Sequence, residues 1–376
     1  MSELSETERA LLALIRENPF AGQQQMADHL GLSRSAVAAH VVRLTERGYI
    51  LGRGYLLPEE GRVVVIGGAV IDRKYLARAP LIAGTSNPVE GMRSFGGVAR
   101  NVAENLAALG AGVSFVSAVG ADESGRDLAR HLSARGIDVS SLFALPEERT
   151  AEYAAILEPG GDLAYGIADM AIFDRLTPEL LANAAPYLAA ARLVFADCNL
   201  PAATLSSLID QRRVGRFELA IDAVSTPKVM KLPRDLSGVD LLFLNLDEAS
   251  TYTASSFSRD INGMREAAKV LNEAGAATVI LTCGVLGAVV STGGKATSVP
   301  VVAANPVDMT GAGDAMIAGT LHHYLESNAL DEAARRGALI AALTTESPAS
   351  VHPQMSVHLV EANLHRLEPI EGKSHV

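Results

Sequence analysis

Cysteine is scarce in this chain. Cys198 and Cys283 are the only two in 376 residues, which excludes a thiolate metal cluster and suits a reducing compartment. Bases are outnumbered, 32 Lys and Arg against 43 Asp and Glu, and the net charge of −11 argues against nonspecific nucleic-acid binding by the molecule as a whole. The opening residues, MSELSETERALLALIREN, carry acids where a secretion signal needs bases. No uninterrupted apolar run is long enough to cross a bilayer, and neither an internal repeat nor a low-complexity tract is visible. These absences leave a soluble chain expected in the cytoplasm. Its 48% hydrophobic content supplies the core for one large domain and one small one.

The small domain comes first, over residues 1–58. Ser5 and Glu8 have capping-box spacing ahead of Leu11, Leu14 and Ile15, which predicts a helix. QQQMADHLGL reads as a second helix closed by Gly31, and Ser33 opens a third with Val37, Val41 and Leu44 on its core face. GYILGRGYLL reads as a hairpin turning at Gly52-Arg53-Gly54. This order resembles a winged helix-turn-helix, whose DNA contacts would fall on Arg34, Ser35, Arg43 and Arg53. Residues 1–57 nevertheless balance six bases (Arg9, Arg16, Arg34, Arg43, Arg47, Arg53) against six acids (Glu3, Glu6, Glu8, Glu17, Asp28, Glu46). A neutral module grips a duplex weakly, so two readings stand: DNA binding, or a packing and dimerisation module that keeps the fold without the readout.

Residues 61–370 alternate apolar strand-like runs (RVVVIGG, GVSFVSAVG, RLVFADC, FELAIDAV, LLFLN, ATVILTCG) with helical stretches such as VARNVAENLAALG. That alternation predicts an α/β domain built on a doubly wound, mostly parallel sheet, with ligands at the carboxyl ends of its strands. Asp72, Asp197, Asp222, Asn245 and Thr282 each follow an apolar run. The densest motif is DMTGAGDAMIAG, Asp308 to Gly319, in which two glycines and Asp314 lead into an apolar helix. Free amides and the positive dipole end gather at such a start, and Asp314 lies inside that anion-binding construction. A cap alone usually needs one Ser, Asp or Asn and no Gly-Ala-Gly run.

Together with SFGGVARNVAENLAALG at 94–110, this motif resembles the two signatures of the ribokinase (PfkB) family of sugar and nucleoside kinases. The resemblance implies a ribokinase-like fold with a small β lid around 72–95 and 150–172, ATP as phosphoryl donor and a homodimer. It makes Asp314 the base on the acceptor hydroxyl and the amides of Gly311, Ala312 and Gly313 the anion hole. Asn245 and Glu248 of LNLDEA would serve the nucleotide and Mg²⁺, though the same pair has capping-box spacing and both roles can hold. Thr282, Gly284 and Gly287 would lie beside the ATP phosphates, and Asp308 and Thr310 in a loop for a monovalent cation, K⁺. Asp72, read as a strand-end acid, would hold the acceptor with Asn87, Gly96, Gly97 and Asn101.

SNPV, ADCNLP, DAVSTPK and TAEYAAIL resemble the pseudouridine kinase branch, which makes the 5′-hydroxyl of a C-nucleoside the expected acceptor. Another nucleoside, free ribose or a hexose derivative is the alternative acceptor. A regulator that senses a sugar or nucleoside with a kinase fold is the alternative of another class, and the intact Asp314 argues against it. Lys228 either touches an ATP phosphate or orders its own loop.

Overall fold

The computed structural model describes residues 4–19, 21–51 and 61–367. Its N-terminal unit is three helices, α1 (Glu6–Glu17), α2 (Gln23–Leu30) and α3 (Arg34–Glu46). Ser5 opens α1 with a complete capping box: its hydroxyl accepts from the Glu8 amide at 3.2 Å, and Glu8 accepts from the Ser5 amide at 3.0 Å. Leu11, Ile15, Met26, Val37, Leu44 and Ile50 close the small core of this unit. The expected wing hairpin, with Arg53, lies outside the described residues.

The larger unit begins with β1 (Val63–Ile66), β2 (Val70–Ala77), β3 (Val89–Gly96), α4 (Val98–Ala108), β4 (Val113–Gly120) and α5 (Glu123–Ala134). It continues through β5 (Asp138–Leu145), β6 (Glu152–Leu157), β7 (Leu163–Asp169), α6 (Pro178–Leu181), α7 (Ala185–Ala190), β8 (Leu193–Asp197) and α8 (Ala202–Val214). After these come β9 (Glu218–Asp222), α9 (Thr226–Val229), β10 (Leu241–Asn245), α10 (Leu246–Thr253), α11 (Ile261–Glu273) and β11 (Thr278–Thr282). The chain closes with β12 (Ala288–Thr292), β13 (Lys295–Val299), α12 (Ala312–Ser327), α13 (Leu330–Thr345) and α14 (Val357–Ala362).

Nine strands form the main sheet in the order β13-β12-β11-β10-β9-β8-β1-β4-β5. All its pairings are parallel except those of the β11–β12–β13 edge. Alternate residues feed opposite cores: Val64, Ile66, Val194 and Leu242 on one face, Val63, Val65, Phe195 and Phe243 on the other. Both faces are covered, so the strands read as continuous apolar runs. The order reverses at β1, which lies between β8 and β4, and this opens a crevice at the carboxyl ends.

A second sheet, β3-β2-β6-β7, is separate from the main one and holds the segments expected to form the lid. It corrects one expectation. The run VVVIGGAVID is two strands broken at Gly67-Gly68, so Asp72 is the third residue of lid strand β2 and not a strand-end acid of the main sheet. The outer strand β7 leaves Leu163, Tyr165 and Ile167 exposed.

The two units touch. Helix α3 ends in a Schellman motif, with the Gly48 amide donating to Thr45 O at 3.0 Å and the Tyr49 amide to Leu44 O at 2.8 Å. Gly48 has φ of 72°, and a Cβ there would run into the backbone of Ala189 and Ala190 at the end of α7. Leu51 is buried in the same apolar cluster as Ile172, Phe173 and Tyr187. Gly48→Val combines a disfavoured backbone with this clash, and should destabilise the N-terminal unit by about 1–3 kcal/mol. Calorimetry should show its transition moved down while that of the larger unit holds. An unchanged first transition would show that the contact does not support the unit.

Candidate active site

The crevice is organised by Asp197 at the end of β8, a fully buried carboxylate. It accepts from the amides of Gly68 (3.0 Å), Ala99 (3.0 Å) and Asn199 (3.0 Å) and from Asn199 Nδ2 (2.9 Å). One side chain thus fixes the break before the lid and the first turn of α4, where its charge meets the positive end of the helix dipole. Burial still raises its carboxyl above the usual range, against those four donors.

Helix α4 then carries two polar residues into the crevice. Asn101 Nδ2 donates to Asp314 Oδ2 at 2.6 Å. Arg100 is also buried; its guanidinium donates to Glu104 (2.7 Å), Ser350 Oγ (3.2 Å) and the carbonyls of Phe95 and Gly96. Glu104 is raised by burial, but hydrogen bonding from His131 and the nearby Arg100 outweigh this and hold it down at about 2. The network keeps a permanent cation beside the acids of the crevice.

Asp314 sits in the first turn of α12, where the leading amides have no partner within the helix. Gly311 begins that turn at φ of 82°, and a Cβ there would collide with the Ser350 carbonyl. The glycine is required on both counts. Burial raises the Asp314 carboxyl to about 6, with Asp197 and Asp72 pushing the same way and Asn101 and Arg100 opposing. A carboxyl at that level is ionised at neutral pH yet basic enough to take a proton from a hydroxyl aligned with it.

Beneath Asp314 lies a cavity of about 170 Å³ lined by Asp222, Asn245, Glu248, Thr282 and Gly313 among others. Asp222, half-buried at the end of β9, is pushed well up by desolvation and by Glu248 and Asp314 across the space. The Glu248 carboxylate accepts from the Asn245 amide (2.8 Å) and Asn245 Nδ2 (2.8 Å), so the capping box is present at the start of α10. Among the described residues no group of three or more His, Cys, Asp or Glu is arranged to ligate a metal directly. Three acids repelling one another around one cavity instead suit a hydrated dication that arrives with a nucleotide.

Most of the sequence-predicted residues converge here. Asp72 and Gly96 meet across the β2–β3 ladder, where a Cβ on Gly96 would fall on the Asp72 carboxylate, and Gly97 packs on the Gly68 carbonyl. Others are placed differently. Asn87 satisfies its own lid loop, accepting from the Ile82 amide at 2.9 Å and donating to Ile82 O at 3.0 Å, so it is not gathered with Asn101 and Asp314. Of the three amides expected to form the anion hole, that of Ala312 donates to Met309 O at 3.3 Å. Gly284 and Gly287 shape the turn between β11 and β12, where the Cys283 amide donates to Gly287 O at 3.0 Å. Lys228 donates to Asn199 Oδ1 at 2.5 Å, in the loop that follows β8. Asp308 gives one oxygen to the Thr310 amide (2.8 Å) and hydroxyl (2.6 Å) and the other to Lys74 Nζ (2.9 Å).

On α3, Arg34 and Ser35 are exposed at the first turn, whereas Arg43 contacts His40 Nδ1 at 2.9 Å and Glu8 at 3.8 Å. The sequence reading missed Arg100 and Lys74, and left Asp222 without a role. The available signal for Arg100 was a base one position before Asn101 and one helical turn before Glu104.

Comparison with known proteins accounts for the arrangement. Residues 60–356 match the pfkB family of carbohydrate kinases, and residues 4–50 match a winged helix-turn-helix DNA-binding family. The chain is 30% identical to YeiI of Escherichia coli K12, an uncharacterized sugar kinase, over 94% of this chain and 97% of that one. It is also 30% identical to the pseudouridine kinase of the same organism, over 80% and 95%. A carbohydrate kinase from Agrobacterium tumefaciens superposes with a TM-score of 0.72 at 33% identity, covering 81% of this chain and 97% of that one. Among the described residues no helix is long and apolar enough to cross a membrane. With both glycine-rich signatures meeting at Asp314, and with likeness over nearly its whole length, the chain belongs to the pfkB family of sugar and nucleoside kinases and carries a winged helix-turn-helix unit at its N-terminus.

Proposed function

We infer that the protein transfers the γ-phosphoryl group of ATP to the 5′-hydroxyl of a nucleoside, with pseudouridine the preferred acceptor. One observation carries the phosphotransfer reading: Asp314, in the first turn of α12 and hydrogen-bonded by Asn101, lines the acidic cavity and is raised to about 6 by burial, with Asp72 adding to the rise. Asp72 and the Gly96-Gly97 backbone hold the sugar, and Asn101 orients the base. Asp314 removes the proton as the hydroxyl attacks, and the leading amides of α12 stabilise the charge spreading over the transferred group. Asn245, Asp222 and Glu248 would hold the nucleotide's hydrated Mg²⁺, with Thr282 beside them. That ion supplies neutralisation of the phosphate charge. The likeness to pseudouridine kinase and the segments SNPV, ADCNLP, DAVSTPK and TAEYAAIL support the acceptor.

Asp314→Asn should keep fold and nucleotide binding while lowering kcat about 10²–10⁴-fold. In the unaltered enzyme kcat should fall as pH drops through about 6, because protonation removes the base. The decline should approach tenfold per pH unit below that point. Near-normal turnover in a folded Asn variant would remove Asp314 from the chemistry.

Pseudouridine should give a higher kcat/KM than uridine, ribose or fructose in a coupled ATP-consumption assay. A site built to accept the ring N–H of a C-nucleoside rejects the analogue that lacks it. Preference for another nucleoside or a free sugar would replace the acceptor and leave the transfer reaction standing.

We also infer that the protein is a homodimer paired through the exposed apolar lid strand β7 and that its N-terminal unit binds a two-fold DNA site. Arg34 and Ser35 stand at the exposed start of α3. Arg34→Ala should weaken sequence-selective binding in an anisotropy titration at low salt and leave turnover intact. The same preparation should sediment as a dimer. A chain starting at Gly61 should retain activity but unfold at lower temperature, since it lacks the buried Leu51. Absence of selective binding at low salt, with and without nucleoside, would make the unit a packing module.

A further inference from the structure

Asp308, which opens the loop into α12, is the residue expected from family resemblance to bind a monovalent cation. The residues present do not fit that ion. One carboxylate oxygen accepts from the amide and hydroxyl of Thr310, and the other accepts from Lys74 Nζ at 2.9 Å. An ammonium already occupies the oxygen that a potassium ion would need, and a second cation of equal charge beside it would be repelled.

The source of that ammonium matters. Lys74 lies two residues beyond Asp72 on lid strand β2, so both side chains project from the same face of the lid. The loop it reaches is tied to the rest of the site. The amides of Val307 and Asp308 donate to Thr345 O at 2.7 and 3.2 Å, and Gly311 packs on Ser350. Ser350 in turn accepts from Arg100.

We propose that Lys74 is a built-in replacement for the monovalent cation: it delivers the positive charge to the Asp308 loop from the lid, so that turnover needs no potassium and the anion-hole loop is held only when the lid is down. Lys74 is a positioning residue. It acts through Asp308 on the backbone at Gly311–Gly313, and it makes a fixed property of the loop depend on closure over the acceptor. The proposal rests on the kinase reading but not on which nucleoside is phosphorylated.

The test uses the full chain with ATP and Mg²⁺ in choline, sodium, potassium and ammonium chlorides at matched ionic strength. The unaltered enzyme should show kcat constant across the four salts within about twofold. Lys74→Gln should lose roughly tenfold in kcat in choline or sodium, the size of one charge-assisted hydrogen bond, with the KM for ATP little changed. Potassium or ammonium should restore most of that loss by entering the vacated position. Lys74→Arg should stay independent of the salt. Thermal unfolding gives a readout without turnover: potassium should raise the midpoint of Lys74→Gln relative to choline and leave that of the unaltered protein unmoved. If the kinase reading itself fails, no salt supports turnover while the unfolding comparison still reports on the charge. Potassium activation of the unaltered enzyme would overturn the proposal. So would a loss in Lys74→Gln that neither ion restores.

Discussion

The site depends on one buried carboxylate that performs no chemistry. Asp197 binds the backbone on both sides of the crevice, at Gly68 where the lid departs and at Ala99 where α4 begins. Arg100 and Asn101 follow Ala99 directly, so the register of α4 against Asp197 sets where the crevice's buried cation and the partner of Asp314 stand. Four donors offset much of the desolvation of an acid in this position, although burial still dominates its protonation. Replacing Asp197 by an apolar residue of similar size would leave these buried amides unpaired, which costs more than the hydrogen bonds contribute when made.

Around that anchor the electrostatics are deliberately unbalanced. Asp72, Asp222, Glu248 and Asp314 are all raised, each with burial as the largest cause. The opposing cations are fixed by other partners: Arg100 by Glu104, Lys228 by Asn199, Lys74 by Asp308. The cavity therefore gathers acids that resist ionising together, a demand that a cation brought among them would relieve. Arg100 and Lys74 temper Asp72, opposing the rise that burial causes.

How much of this could be read in the sequence follows from how local each signal is. The turn before Asp314 and the start of α4 were legible because glycine runs ahead of apolar helices state a backbone requirement within a few residues. The parallel sheet was legible for the same reason, through apolar runs spaced by helical stretches. Arg100 reaches Ser350 across 250 residues and Lys74 reaches Asp308 across 234, and no local pattern encodes such pairs. Asn87 was named through the resemblance of SNPV, and no local pattern announces that its amide closes its own loop. Asp72 was misplaced because Gly67-Gly68 interrupt an apolar run that otherwise reads as one strand.

The N-terminal unit shows the same limit for charge. Counting six bases against six acids treats them as equivalent, but their placement is not. Glu8 is buried, completes the cap of α1, and draws in His40, Arg43 and Arg47 from α3 and its end. Arg43, the base nearest the middle of α3, thereby also faces an acid of α1. The first turn, with Arg34 and Ser35, points its free amides and its dipole outward in exposed backbone. The helix core and the Gly48 contact with α7 orient that turn relative to the larger unit. A phosphate approaching this module would therefore meet the helix start before it met net charge, and any grip would come from a few aligned donors. Placement, more than composition, decides what a neutral module of this kind can hold.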